Sequence, residues 1–165
     1  MTHLPDSVWD KARACFLFHR METHRRDALL ASLDEPGKFS KGERIYSGVH
    51  FRRALGILLK GEAQVSRTGA DGRRTVMNRL GPGQVFGVAA LFGDDPSYVT
   101  DVEAATECLV LFLPQETITR WVREDSDPVF LRQRPADDIQ LRHLLPAAQI
   151  VSHVLILMTE HEQEA

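Results

Sequence analysis

The sequence predicts a mainly β fold with flanking helices, an antiparallel jelly-roll barrel between N-terminal helices and a C-terminal helix. Three observations predict it. Between Phe39 and Pro114, short apolar runs are separated by glycine-containing turn signals at intervals of about ten residues. Asp71-Gly72 sits between two such runs, as in a hairpin. Outside that region, apolar residues recur in steps of three and four, the period of a helix.

In chain order, Val8, Trp9, Ala12, Cys15, Phe16 and Phe18 carry the helical spacing, and Thr23 is placed to cap a short helix through Leu33. Asp34-Glu35-Pro36-Gly37 ends it, because proline lacks a donor and glycine tolerates the turn. Leu55 to Leu59 reads as a strand, followed by a turn at Lys60-Gly61-Glu62 and a second strand from Ala63 to Arg67. Gly69-Ala70-Asp71-Gly72 turns the chain, with Asp-Gly able to supply positive φ angles, and Arg73 to Leu80 returns. Gly81-Pro82-Gly83 closes that strand, and Val99 to Ala105 and Cys108 to Leu113 follow as two more. Pro114 ends the last strand, and Gln115 to Glu124 reads as a helix with Ile118, Trp121 and Val122 apolar. The resulting division is a helical lead-in over 1–38, a barrel over 39–114 and a helical segment over 115–165.

The chain has 165 residues, 43% of them apolar and 26% charged, enough for one domain to bury a core without disulfides or metals. No apolar run approaches a membrane span, and Met1 to Asp6 does not open a secretion signal. A cytoplasmic protein is expected. Cys15 and Cys108 are too few and too distant for a metal knuckle or a disulfide framework. Residues 1–123 carry 17 Lys and Arg against 15 Asp and Glu, whereas residues 124–165 carry 3 against 8. DNA binding requires a basic face, so the acidic C-terminal segment is not one. Arg25-Arg26, Arg52-Arg53 and Arg73-Arg74 read as solvated charge.

Gly81-Pro82-Gly83-Gln84-Val85-Phe86-Gly87-Val88-Ala89-Ala90-Leu91-Phe92 carries the most information. Together with Leu59-Lys60-Gly61-Glu62-Ala63-Gln64-Val65, Asp71-Gly72-Arg73, Leu17-Phe18 and Phe39-Ser40-Lys41-Gly42-Glu43-Arg44-Ile45-Tyr46 as an entry strand, it resembles the cyclic-nucleotide-binding domain of Crp/Fnr-type transcriptional regulators. The resemblance spans about residues 15–123. It implies a phosphate-binding cassette after the glycine-rich turn, where a short helix points its N-terminal amides at a cyclic phosphate. In the family, Phe-Gly-Glu supplies a carboxylate for the ribose hydroxyl. An Arg about ten residues later neutralises the phosphate, followed by small residues.

Carried over by position, Phe86 and Gly87 match, but Val88 stands at the Glu position and Tyr98 at the Arg position. Val99 and Thr100 match the small positions in part. Losing the carboxylate removes a charged hydrogen bond of roughly 1.5–3 kcal/mol, and a buried phosphate without a cation costs several kcal/mol more. Together these weaken affinity by about three orders of magnitude. Spacing does not place Arg52, Arg53, Arg73 or Arg74 to substitute. Cyclic AMP or GMP binding is therefore not expected. Val88, Ala89, Leu91, Tyr98 and Val99 either receive an uncharged or aromatic effector or simply fill the barrel.

A cupin-type enzyme needs a His-x-His pair and a later His, and His50 is the single histidine of the β region. Two cysteines cannot hold an iron–sulfur cluster. No catalytic group, metal or cofactor is assigned, and the protein is not expected to be an enzyme. Family members continue into a helix-turn-helix; the stretch after Asp127 is short and acidic for one, so direct DNA binding is not expected. Pro128, Pro135 and Pro146 interrupt it. Ile150, Val151, Val154, Leu155 and Met158 then share a helix face that either docks on the barrel or forms a homodimer or other protein interface. The resemblance thus implies a stand-alone sensor or regulatory domain. A truncated regulator that has lost its DNA-binding half is the alternative.

Overall fold

Strand pairing joins segments that lie far apart in the chain. A computed structural model describes residues 5–18, 21–47, 52–87 and 100–124. In spatial order, β1 (Gly37–Phe39), β8 (Cys108–Pro114), β3 (Ala54–Lys60) and β6 (Val85–Phe86) make one sheet. The second sheet is β2 (Arg44–Tyr46), β7 (Asp101–Ala104), β4 (Ala63–Thr68) and β5 (Arg74–Leu80). Every pair among these strands is antiparallel. Successive strands cross between the sheets, except at the β4–β5 hairpin, which stays within the second sheet.

Among the described residues, three α-helices flank the barrel: α1 (Asp6–Arg13), α2 (Thr23–Ala31) and α3 (Gln115–Glu124). Strand β3 explains how they attach. Ala54 through Leu59 are all buried, because both faces of the strand are covered. Leu55, Ile57 and Leu59 face a cluster with Ala12, Cys15, Phe18, Leu30 and Ile118 from the helical segments. Leu58 faces the other way, between the sheets, with Ile45, Ala63, Leu80, Val102 and Val110. Side-chain alternation along one strand thus feeds two cores.

The lead-in departs from one helix running to Phe18. Helix α1 stops at Arg13, and Phe16–Phe18 form a 3₁₀ turn closed by bonds from the Cys15, Phe18 and Met21 amides to Ala12, Cys15 and Phe18. The tighter winding turns Cys15, Leu17 and Phe18 inward together, which α-helical spacing does not allow. Thr23 is the first residue of α2 rather than its cap; Glu22 occupies the cap position and makes no side-chain capping bond. The helix ends at Ala31, where the Ser32 hydroxyl donates to the Leu29 carbonyl at 2.7 Å.

The expected entry strand from Phe39 to Tyr46 is two strands in different sheets. The Ser40–Glu43 turn separates them: the Glu43 amide donates to the Ser40 carbonyl, and Glu43 Oε2 accepts from the Ser40 amide at 2.8 Å. The β4–β5 hairpin forms as expected, with different turn chemistry. Gly72 alone takes positive φ, and Gly69 pairs with Arg73 across a three-residue loop. The strand expected over Val99–Ala105 occupies Asp101–Ala104.

Candidate functional site: the approach to the cassette

The glycine-rich turn is tied to β3. Gly83 donates to the Leu58 carbonyl at 2.7 Å, and the Leu58 amide donates to Gln84 at 3.0 Å. The Gln84 side chain accepts from the Gly81 amide at 2.7 Å, which holds the turn closed. Strand β6 then pairs Val85 with Ile57 and Phe86 with Gly56. At Gly87 the chain takes φ of +89°, and a Cβ there would lie 2.9 Å from the Ala54 carbonyl oxygen. Glycine is required at this position on both counts.

Phe86 is buried, and its ring occupies the space where a side chain on Gly56 would stand. Its centroid lies 6.5 Å from that of Phe112, at 86°, and Phe112 meets Phe39 at 6.2 Å and 72°. These edge-to-face contacts extend an aromatic chain across β6, β8 and β1. Tyr46 is buried in the inter-sheet cluster with Phe86. Burial pushes its phenol up to about 12, with the Arg53 charge acting in the opposite direction.

Three of the arginines named above, Arg52, Arg73 and Arg74, have defined side-chain contacts. The Arg52 guanidinium lies 4.7 Å from the Phe112 ring centre, a cation–π contact. Arg73 sits at the hairpin tip, 3.8 Å from Asp71 and largely exposed. Arg74 is committed to the second sheet, donating to Ser66 at 2.7 Å and to Glu103 at 2.9 Å. Ser66 is fully buried beneath that contact.

Of the residues assigned from sequence, Phe86 and Gly87 come together against β3, and Thr100 is half-buried just before β7. Val88, Ala89, Leu91, Tyr98 and Val99 lie outside the described residues, as do Ile150, Val151, Val154, Leu155 and Met158. Among the described residues, no three His, Cys, Asp or Glu side chains gather as a metal site would require. Both cysteines are free and buried. Burial raises the Cys15 thiol to about 11 and also raises Cys108, whose thiol donates toward the Glu62 and Thr106 carbonyls. Sequence reasoning did not single out Phe112 as a neighbour of Phe86. Its signal is register: Gly56 pairs with Phe86 on one side and Phe112 on the other.

Residues 36–125, which include the glycine-rich turn and Gly87, match a known family model, that of the cyclic nucleotide-binding domain. The chain belongs to this family. A CRP-like cAMP-activated global transcriptional regulator of Mycobacterium tuberculosis is 22% identical over 108 residues, which are 66% of this chain and 47% of the relative. The chain therefore spans about half the length of the curated relatives it matches. Among solved structures, the sensor domain of the transcriptional regulator DNR from Pseudomonas aeruginosa superposes with a TM-score of 0.63 at 21% identity. That match covers 74% of this chain and 81% of the other. The N-terminal domain of a transcriptional regulator from Streptomyces coelicolor A3(2) gives 0.61 at 18% identity, covering 94% and 92%. These likenesses establish the jelly-roll fold of a cyclic nucleotide-binding domain. No helix among the described residues is long and apolar enough to cross a membrane.

Proposed function

We propose that this cyclic nucleotide-binding domain works as a sensor or regulatory module, not an enzyme, with a cassette that does not accept cyclic AMP or GMP. The observation that carries this reading is the contrast within one short segment. Phe86 and Gly87 keep the constrained approach to the cassette, with Gly87 pressed against Ala54. Val88 and Tyr98 then replace the two charged groups that a cyclic nucleotide requires. The curated relative is named as cAMP-activated, and that property does not carry to a cassette without its charges.

The commitments of the arginines support the same reading. Arg74 is held by Ser66 and Glu103, and Arg73 lies at the hairpin tip. An effector for this barrel is uncharged or aromatic, received beside Tyr46, Phe86 and the residues that follow Gly87. Such an effector acts only by preferring one of two conformations, and the segment over 115–165 is the proposed output element toward a protein partner or second copy. Calorimetric titration with cyclic AMP and cyclic GMP to millimolar concentration tests the proposal. Absence of binding heat supports it, and a micromolar Kd overturns it.

A further inference from the structure

A cavity of about 250 Å³ lies outside the barrel, between α2 and α3. Arg25 and Leu29 of α2, with Met21 just before that helix, line it from one side; Thr117, Arg120 and Trp121 of α3 line it from the other. Trp121 joins the groove to the core, since its ring lies 6.0 Å from that of buried Phe18. Leu29 and Trp121 are both partly buried hydrophobics packed on the helical core cluster. The groove therefore has an apolar floor with a guanidinium on each wall. Among the described residues, none forms an ion pair or hydrogen bond with the Arg120 guanidinium.

We infer that this groove is a second ligand site, selective for a small aromatic carboxylate. The apolar floor accommodates a planar ring, and an indole edge prefers an aromatic partner over an aliphatic one. The planar fork of a guanidinium matches a carboxylate through two parallel hydrogen bonds, so Arg120 fixes the charged end, with Arg25 facing it. A ligand bridging the walls also links the lead-in to α3, whose first amide is anchored on the Arg53 carbonyl at 2.8 Å. This site is independent of what the cassette binds.

The test uses the full chain and the indole N–H signal of Trp121 in two-dimensional NMR spectra, with the Trp9 signal as internal reference. The probes are 1-naphthoate, its neutral amide and inorganic phosphate. Naphthoate is expected to shift Trp121 saturably and leave Trp9 in place, with the amide at least about tenfold weaker, as loss of a charge-assisted pair implies. Arg120→Gln is expected to weaken naphthoate by a similar factor while Arg120→Lys retains part of it. Because Arg120 is exposed, both variants keep the fold. Equal binding of the amide, unchanged affinity in Arg120→Gln, or an equal response to phosphate each overturns the proposal, the last meaning an adventitious ion only. A cyclic-nucleotide titration that leaves Trp121 unmoved bears on the cassette and not on this groove.

Discussion

The ring of Phe86 fills the space above Gly56, its pairing partner on β3, so closely that a Cβ at Gly56 would overlap three of its ring carbons. The strand leading into the cassette is thereby seated on the strand that carries both cores. Gly56→Ala is expected to destabilise the protein by about 1–3 kcal/mol, the usual range for overpacking a filled core. Phe86→Leu in the Gly56→Ala background is expected to return part of that loss. Urea unfolding of the single and double variants measures both, and additive losses would refute the direct contact.

Gly87→Ala tests the backbone immediately before the cassette. Positive φ alone costs an alanine about 1–2 kcal/mol, and the approach to the Ala54 oxygen at 2.9 Å adds to it. Gly83 has a similar φ of +89° but nothing within 4 Å of its Cβ position. Gly83→Ala is therefore expected to cost less than Gly87→Ala in the same thermal or urea unfolding measurement.

Most of the barrel was legible because strand alternation and turn residues act locally. Lys60-Gly61-Glu62, Asp71-Gly72 and Pro114 mark their turns and strand end in both sequence and structure. The split of Phe39 to Tyr46 was not legible: Ser40 to Glu43 carries one glycine, and the bonds that redirect the chain include a long-range one from the Gly42 amide to Ala104. Strand β6 was also hidden, since two residues are too short to show a period. At the site, Gly87 could be read from its motif. The aromatic contacts of Phe112 depend on register between distant strands and have no local signal. The groove between α2 and α3 depends on how two helices meet, which neither helix's own pattern specifies.

The Arg74 guanidinium links β5 to β4 and β7 through Ser66 and Glu103. Both charged side chains are partly solvated, so their coupling is expected to be modest, about 0.5–1 kcal/mol. A double-mutant cycle with Arg74→Gln and Glu103→Gln measures it. A coupling indistinguishable from zero would show that the ion pair does not brace the second sheet.

The thiol of Cys15, raised from 9.0 to about 11 by burial, predicts a loss of stability in alkali. Below pH 9 the group is protonated in both states and contributes no pH dependence. Between about pH 9 and 11 the unfolded chain releases a proton that the folded chain retains, so stability falls as pH rises. The shift corresponds to about 2–3 kcal/mol at its limit. Cys108 and Tyr46 are raised by burial as well and act in the same direction. Urea midpoints across this range are expected to fall less steeply in Cys15→Ala than in the native chain, and parallel pH curves would exclude Cys15 as a contributor.

Calorimetric titration with cyclic AMP compares the native chain with the Val88→Glu/Tyr98→Arg double variant. If the charges at these two positions decide the cassette's ligand, the native chain gives no heat at millimolar nucleotide. The double variant, which regains both groups, then binds at least about a hundredfold more tightly, a gain of roughly 3 kcal/mol. Micromolar binding by the native chain would contradict the account, because the cassette would then bind its phosphate without either group.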